Sequence, residues 1–252
     1  MACMLEWQQC NVINGHEKVV LWFSGGKDSM ACLYLVQEQL SDITVLFVNT
    51  GKHYPELLET VYKAKEMCSN WVEIKTDRDA QWKINGLPSD LVPIDWTILG
   101  QSMSSKKPIT VQTYIQCCID NIARPLWEKT KELGATLVIR GQRADEAHRA
   151  TTVNNDILDG IQFWHPLELW TKDEVLTYLE RKMDKLPEHY KLDHSSMDCY
   201  DCTAFAAHSL DRVEFMRKKH PDLYSDYQVK INALYQAISE PLEHYKKLVE
   251  LN

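Results

Sequence analysis

The chain of 252 residues combines 44% hydrophobic and 25% charged residues with a formal net charge of −8 at pH 7. This composition is typical of a soluble globular protein, and its acidity disfavours tight nucleic-acid binding by the chain alone, because such binders are usually basic. No apolar stretch reaches the length of a membrane span, and residues 1–15 lack the basic and apolar segments of a secretory signal. We therefore predict a cytoplasmic protein that binds no membrane.

Strands and helices are predicted to alternate through the first two-thirds of the chain. Apolar runs and helical periodicity predict strands over residues 19–23, 43–48, 71–75 and 136–140, and helices over residues 29–39, 56–68 and 114–133. Alternation of this kind is typical of an α/β fold with a doubly wound parallel sheet. Ligands of such folds bind at the carboxyl ends of the strands.

A long segment without a clear period interrupts this alternation. Residues 77–110 contain several glycines and prolines together with Trp82 and Trp96. Long irregular segments inside compact domains are often functional. The segment is compatible with a substrate loop, a partner surface, or a structured excursion in which the two tryptophans pack.

The last part of the chain is predicted to be helical. Thr171 and Glu174 match a capping box, which predicts a helix that begins after Thr171. A charged segment with helical character follows from Ser209 to the end. We therefore predict a domain over residues 1–204 and a helical C-terminal extension over residues 205–252 that packs on it.

A glycine-rich turn lies between the first predicted strand and the first predicted helix. It consists of Ser24, Gly25, Gly26, Lys27, Asp28 and Ser29. Glycines permit a positive φ and let an anion approach the backbone amides, while hydroxyls, a lysine and a helix N-terminus attract phosphate. The Walker A spacing is absent. The turn resembles the PP-loop of the ATP pyrophosphatases, which cleave ATP between its α- and β-phosphates; a chance glycine-rich turn is the alternative.

Two further turns follow predicted strands and are expected at the same edge of the sheet. Ligands collect at this edge, so these turns are predicted to help bind the nucleotide. Their candidate binding residues are Asn49, Thr50, Gly51, Gly141 and Gln142.

Eight cysteines in a reducing compartment do not indicate a disulfide framework. Four thiolates can hold a zinc ion or a cubane iron–sulfur cluster. Adjacent side chains on a helix point about 100° apart, so two adjacent cysteines rarely bind the same metal ion. A cluster of several irons is wider and can accept both. A zinc site and scattered buried thiols are the alternatives. The cysteines concerned form two close pairs, Cys117 with Cys118 and Cys199 with Cys202.

These motifs together resemble the phosphoadenylylsulfate reductase family within the PP-loop superfamily, over about residues 18–204. The adjacent cysteines and the distant Cys-x-x-Cys-Thr are similar to the iron–sulfur signature of the assimilatory adenylylsulfate reductases. The resemblance implies a 4Fe–4S cluster on the four paired cysteines. Further similar segments lie at residues 49–56, 124–126, 141–149, 164–167 and 170–175.

Two departures from the reductases bear on the function. No cysteine follows Cys202, whereas those reductases end in a Lys-x-Glu-Cys-Gly tail whose cysteine attacks the sulfur of the sulfonucleotide. The phosphate loop is intact, whereas the reductases carry an altered one. An intact loop together with a cluster resembles the ATP-binding thiolation members, which include phosphorothioate DNA-modification proteins and cluster-bearing tRNA thiolases.

The resemblance implies that ATP adenylates an acceptor and that sulfur then displaces AMP. Lys27 would bind phosphate in this reaction. Asp28 and Asp145 would help to hold Mg²⁺, which neutralises the departing pyrophosphate. Arg143 and Arg149 would clamp phosphate or acceptor oxygens, with solvated or ion-paired arginines as the alternative.

The predicted partners are ATP and a sulfur donor. A cluster with four cysteine ligands has no open iron, so sulfur would come from a cysteine desulfurase, a persulfide carrier or a ligand exchange. Cys3 and Cys10 are candidates for sulfur relay, and incidental thiols are the alternative. A nucleic-acid acceptor reached through partner proteins and a homo-oligomer are compatible with the sequence.

Two other functions stay open at this stage. The first is an adenylylsulfate or phosphoadenylylsulfate reductase that takes its thiol nucleophile from elsewhere and binds adenylylsulfate in preference to ATP. The second is a non-catalytic, cluster-bearing nucleotide sensor or assembly subunit, which would bind ATP without releasing AMP.

Overall fold

The computed structural model describes residues 12–146, 151–192, 197 and 199–251. These residues form two compact units, each with its own core. The first, called the sheet unit, comprises the described residues of 1–49, 53–75 and 125–191. The second, called the cysteine unit, comprises residues 50–52, 76–124 and the described residues of 192–252.

A six-stranded sheet forms the centre of the sheet unit. Its strand order is β3-β2-β1-β6-β8-β7, and all neighbours are parallel except β7 and β8. Among the described residues, the strands are β1 (Val19–Phe23), β2 (Ile43–Asn49), β3 (Asn70–Lys75), β4 (Leu87–Ser89), β5 (Val111–Thr113), β6 (Leu137–Arg140), β7 (Ile157–Leu158) and β8 (Ile161–Trp164).

The order of the strands reverses at β1. Chain order proceeds from β1 through β2 to β3 on one side, and from β6 to β8 on the other. The continuous apolar runs of β1 and β2 are almost fully buried, as expected for central parallel strands. The predicted α/β fold with a mostly parallel sheet is thus confirmed, and the phosphate loop leaves the sheet at the strand where the order reverses.

The described helices of the sheet unit lie where helices are predicted and differ from the prediction in their ends. The predicted helix 29–39 begins two residues earlier and ends at Leu35, and the predicted capping box of Thr171 and Glu174 is present. The α-helices whose bounds lie within the described residues are α1 (Lys27–Leu35), α2 (Pro55–Glu66), α3 (Arg78–Asn85), α4 (Ile98–Ser102), α5 (Tyr114–Cys118), α6 (Arg124–Glu132), α7 (Lys172–Lys182), α8 (Leu210–Lys219) and α9 (Pro221–Glu250).

The long helix predicted over residues 114–133 is not continuous α-helix. A π-helical turn over Ile119–Ala123 separates α5 from α6. Pro125 explains the interruption, because proline has no backbone N–H to donate to the carbonyl one turn earlier and its ring crowds that carbonyl. Widening the turn relieves this conflict, and such π turns often occur near functional sites.

The cysteine unit contains the segment that lacks a period in the sequence. Residues 77–110 include α3, β4 and α4, so this segment is a structured excursion. Strands β4 and β5 form a parallel pair, and Val111 of β5 packs with Leu234 and Ala237 of α9. Trp96 contacts this cluster. Among the described residues, no helix combines the length and apolar character needed to span a bilayer.

The C-terminal helices belong to the cysteine unit. Residues 205–251, predicted as an extension packed on a single domain of residues 1–204, lie in the same compact unit as residues 76–124. The predicted division of the chain into a domain of residues 1–204 and an extension of residues 205–252 stays a prediction.

Candidate functional site

The phosphate loop is closed by its own hydroxyl groups. The backbone N–H of Ser24 donates to Ser29 Oγ at 3.2 Å, and Ser29 Oγ donates to the carbonyl of Gly26 at 3.0 Å. Gly26 is the N-cap of α1, and the first backbone N–H groups of a helix have no intrahelical acceptor. The loop is therefore a closed turn at a helix N-terminus, a geometry that is suited to binding an anion.

Gly25 cannot be replaced without strain in this turn. Its φ is +82°, a conformation that side chains other than glycine rarely adopt. An added Cβ would also lie 2.7 Å from Val61 Cγ2. The turn thus needs glycine for two independent reasons, backbone conformation and space.

Tyr190 supports the loop from a distant part of the chain. Its hydroxyl donates to the carbonyl of Gly25 at 2.9 Å, and its side chain is 3% exposed. Burial raises the pKa of the phenol well above its usual range, so the hydroxyl stays a donor. The sequence analysis did not identify Tyr190, because a lone tyrosine far from the motif carries no pattern.

Charged side chains converge on Asp28 at the start of α1. Lys27 Nζ lies 2.9 Å from Asp28 Oδ2, and Arg143 Nη1 pairs with Asp28 Oδ1. Arg143 Nε also lies 2.9 Å from Asp145 Oδ1. Four predicted residues, Lys27, Asp28, Arg143 and Asp145, therefore lie together, and Arg143 adopts the ion-paired state given above as its alternative.

Glu146 is a further acid at this site that the sequence analysis did not identify. Its carboxylate lies 3.9 Å from Arg143 Nη1. Burial and the nearby charge of Asp28 raise the pKa of Glu146 from its ordinary value to about 6. A carboxyl group with a pKa near neutrality is suited to proton transfer.

Other predicted nucleotide residues of the sheet unit use their side chains for structure. A Cβ on Gly141 would lie 2.6 Å from the Asp28 carbonyl, so this glycine permits the close approach of two backbones. Gln142 Nε2 donates to the carbonyl of Thr152 at 3.0 Å, and Asn49 Nδ2 donates to Glu73 Oε1 at 2.7 Å. Roles of these residues in nucleotide binding stay predictions.

Some predicted residues lie outside the described part of the chain or in the other unit. Arg149, Cys3 and Cys10 lie outside the described residues. Thr50 and Gly51 belong to the cysteine unit rather than to the unit of the phosphate loop. The Thr50 hydroxyl lies 3.6 Å from Cys199 Sγ, which associates Thr50 with the cysteines.

The four paired cysteines line one cavity of the cysteine unit. Cys117 and Cys118 come from the end of α5, and Cys199 and Cys202 come from the segment that precedes α8. We call this the cysteine cavity. The structure thus brings together the two cysteine pairs that are far apart in sequence, which the sequence analysis predicted.

Nitrogen donors surround the sulfur of Cys117. The indole N–H of Trp82 donates to Cys117 Sγ at 3.2 Å, and the Asn121 amide lies 3.7 Å from the same sulfur. Burial raises the pKa of the Cys117 thiol. Hydrogen-bond donors aimed at sulfur favour a thiolate, and a bound metal supplies the charge that a buried thiolate requires.

Arg212 holds the segment that carries the second cysteine pair. Its guanidinium donates to the carbonyl of Cys199 at 2.9 Å and to that of Cys202 at 3.1 Å. The backbone N–H of Tyr200 donates to the carbonyl of Lys52 at 2.9 Å. These contacts tie both cysteines to α8 and to the turn that contains Thr50.

The donor set has the chemistry of a thiolate-bound site. In the described ranges, no group of three or more His, Cys, Asp or Glu side chains is placed to hold a metal ion. A cubane distributes its ligands over several irons and needs them farther apart than one zinc does. Four thiols around one cavity, with N–H donors to sulfur, match that chemistry. The 4Fe–4S site stays a prediction.

Comparison with known proteins matches a range of the chain that contains both sites. A family model of the phosphoadenosine phosphosulfate reductase domain matches residues 18–205, a range that includes the phosphate loop and all four paired cysteines. The chain is 26% identical over 193 residues to an adenosine 5'-phosphosulfate reductase of Staphylococcus haemolyticus, covering 75% of this chain and 71% of that protein. It is 25% identical over 189 residues to one of Staphylococcus epidermidis, covering 74% and 70%.

A solved structure with the same fold is also similar. The phosphoadenylyl-sulfate (PAPS) reductase from Candida auris, in a phosphate complex, aligns with a TM-score of 0.52 and 14% sequence identity. The alignment covers 77% of this chain and 87% of that one. At this identity the similarity establishes the fold alone.

Proposed function

The chain belongs to the phosphoadenosine phosphosulfate reductase family, a family of enzymes within the PP-loop superfamily, and from that premise we propose an ATP-dependent sulfur-transfer activity for it. In this proposal the enzyme adenylates an acceptor, releases pyrophosphate and exchanges the adenylated oxygen for sulfur. A 4Fe–4S cluster on Cys117, Cys118, Cys199 and Cys202 belongs to the proposal.

The intact phosphate loop is the observation that carries the proposal. Gly25 and Gly26 shape a turn at the N-terminus of α1, where backbone N–H groups and the helix dipole favour an anion. Lys27 adds a cation beside the turn. A β,γ-pyrophosphate has enough oxygens to use all of these donors, whereas adenylylsulfate lacks that group.

The ion-paired cluster at Asp28 suits the first chemical step. The acceptor oxygen forms a bond to the α-phosphorus, and the bond from that phosphorus to the bridging oxygen of the pyrophosphate breaks. Mg²⁺ held by Asp28 and Asp145 would neutralise the leaving group. Arg143, which contacts both carboxylates, would then be released to bind phosphate oxygens.

The second step exchanges oxygen for sulfur. Hydrosulfide, released from a persulfide donor when an external thiol forms a disulfide with the donor sulfur, attacks the activated centre. The bond from that centre to the adenylated oxygen breaks, and AMP leaves. Glu146, with a pKa near 6, is suited to accept a proton near the loop. When bound, an iron–sulfur cluster supplies one-electron redox chemistry and a thiophilic metal.

A second candidate function is the reduction of a sulfonucleotide. The relatives with 25–26% identity are named adenosine 5'-phosphosulfate reductases, which favours this alternative. That reaction needs a thiolate that attacks the sulfur of adenylylsulfate and displaces AMP, leaving a sulfur–sulfur bond for a second thiol to reduce. In this candidate the attacking thiol comes from elsewhere than residues 203–252, which contain no cysteine.

An anaerobic incubation distinguishes the candidates. The protein receives either α-³²P-labelled ATP with sulfide and a nucleic-acid acceptor, or ³⁵S-labelled adenylylsulfate with thioredoxin, and AMP, pyrophosphate and sulfite are measured. Equal amounts of AMP and pyrophosphate from ATP support sulfur transfer, and sulfite from adenylylsulfate supports the reductase. Binding of ATP without either product contradicts both and leaves the nucleotide sensor.

A further inference from the structure

A buried cation lies beside the cysteine cavity. Arg78, in the first turn of α3, is 2% exposed and lines this cavity. Its guanidinium carbon lies 4.0 Å from the centre of the Trp82 ring. The indole N–H of Trp82 in turn donates to Cys117 Sγ. The positive charge of Arg78 is thus stacked on the ring that contacts one of the proposed cluster ligands.

The positive charge of Arg78 is only partly neutralised by the buried carboxylate of Asp201. Arg78 Nη2 lies 2.6 Å from Asp201 Oδ1, and Asp201 is fully buried. The second oxygen of Asp201 pairs with Lys230, which also contacts Asp226. Arg78 and Lys230 therefore share one fully buried carboxylate, that of Asp201. Asp226 neutralises little of their charge, because it is 42% exposed and is screened by water.

The guanidinium also has donors to spare. The nitrogens Nε and Nη1 of Arg78 are buried, and the guanidinium has five N–H groups for the side-chain acceptors identified among the described residues, Asp201 and Cys199. Asp79, 3.7 Å from Nη2, is half exposed. Arg78 is a permanent cation that lacks a full complement of acceptors.

We propose that Arg78 is a positioning residue for the cluster, a fixed cation that stabilises the negative charge added on reduction and so raises the reduction potential. The inference rests on the proposed 4Fe–4S cluster. A cluster with four thiolate ligands is anionic, and its one-electron reduction adds a further negative charge. Buried positive charge and N–H donors near the sulfurs are established means of tuning such potentials.

The test uses anaerobically purified holoprotein and a redox titration followed by electron paramagnetic resonance. Arg78→Gln should lower the ratio of reduced to oxidised cluster at a fixed potential by about ten-fold, which corresponds to about 59 mV for a one-electron couple. Arg78→Lys keeps the charge and should recover most of this ratio. A merely structural role would change iron content without this recovery by charge.

Arg124→Gln is the matched control. Arg124 follows the first cysteine pair, its side chain is 55% exposed, and it pairs with Asp120 at 2.9 Å. Removing this exposed charge should change the ratio by less than about two-fold, because water screens it. Equal shifts for Arg78→Gln and Arg124→Gln would overturn the inference.

The outcomes separate this inference from the proposed function. Wild-type protein without iron refutes the cluster itself. Iron-loaded Arg78→Gln with an unchanged potential refutes the role of Arg78 and leaves the cluster in place. If Arg78→Gln fails to load iron, the titration uses Lys230→Gln instead. Without Lys230, Asp201 neutralises more of the positive charge of Arg78, so the reduction potential of the cluster should fall. A shift for Lys230→Gln no larger than that for Arg124→Gln would then refute the inference.

Discussion

The phosphate loop and the cysteine cavity differ in how their parts are brought together. The loop is six consecutive residues whose conformation depends on Gly25 and on hydroxyl contacts within the turn. The cavity combines two cysteine pairs from distant segments, held by contacts of Trp82 and Arg212. A local site depends on backbone geometry, whereas a site built from distant segments depends on the packing of a whole unit.

The two regions also differ in electrostatics. At the loop, Lys27 and Asp28 retain 22% and 15% side-chain exposure, so solvent and a ligand can exchange with their partners. In the cysteine unit, the side chains of Arg78 and Asp201 are at most 1% exposed. Buried charges of this kind are strongly coupled to whatever occupies the cavity, because little water screens them. The loop is suited to exchange substrates and the cavity to retain a resident group.

Removal of one cavity thiol should have the largest effect. Cys199→Ala should lose most of the iron of anaerobically purified protein and lower its melting temperature, because a cluster joins segments that are distant in sequence. Iron analysis and the absorbance near about 400 nm measure the loss. Cys68→Ala in the sheet unit is the control and should keep the iron. Full iron content in Cys199→Ala would contradict the assignment.

Removal of the loop cation should leave the cluster intact and abolish nucleotide turnover. Lys27→Ala should reduce turnover by about 100-fold or more, or about 2.7 kcal/mol of transition-state stabilisation. Pyrophosphate release and the visible spectrum are measured on the same sample. Lys63→Ala, which removes a 69% exposed lysine from the same unit, should retain full activity. Loss of the cluster spectrum in Lys27→Ala would show that the cluster site depends on the phosphate loop.

The predictability of each site follows the same difference. The loop, the parallel strands and the capping box of Thr171 were predictable, because each depends on residues close together in sequence. The convergence of the two cysteine pairs was implied by the resemblance to the reductases, because residue type and spacing alone also allowed a zinc site or scattered thiols. Tyr190 and Arg78 were not, since each acts through one long-range contact and lies in no motif. Thr50 was predicted with the nucleotide, but the chain enters the cysteine unit at this residue.

Substitutions of one glycine in each unit, Gly25 and Gly51, allow a direct comparison of the two regions. Gly25 and Gly51 both have positive φ, at +82° and +74°, but only Gly25 is crowded. Gly51→Ala should lower the free energy of unfolding by about 1 kcal/mol from backbone strain. Gly25→Ala adds a collision with Val61 and should cost about 2–3 kcal/mol. Urea denaturation measures both, and equal losses would show that the crowding at Gly25 is relieved by repacking.

Substitution of Glu146 should have the smallest effect on the free energy of unfolding. It tests whether the negative charge of Glu146 is unfavourable in the folded chain. Its pKa is about 6 in the folded chain, above the ordinary value, because burial and Asp28 disfavour the carboxylate. Between the unfolded and folded pKa values the folded state binds more protons, so wild-type stability falls as the pH rises through this window.

Glu146→Gln removes this loss of stability. The free energy of unfolding of the variant minus that of the wild type should therefore increase by about 1 kcal/mol between pH 4.5 and pH 7, a value reduced from the full shift because the side chain is 27% exposed. Denaturant titrations at the two pH values measure the change. A difference that stays constant or decreases would mean that Arg143 neutralises Glu146, and the acid would then be a partner of the arginine rather than a proton acceptor at the loop.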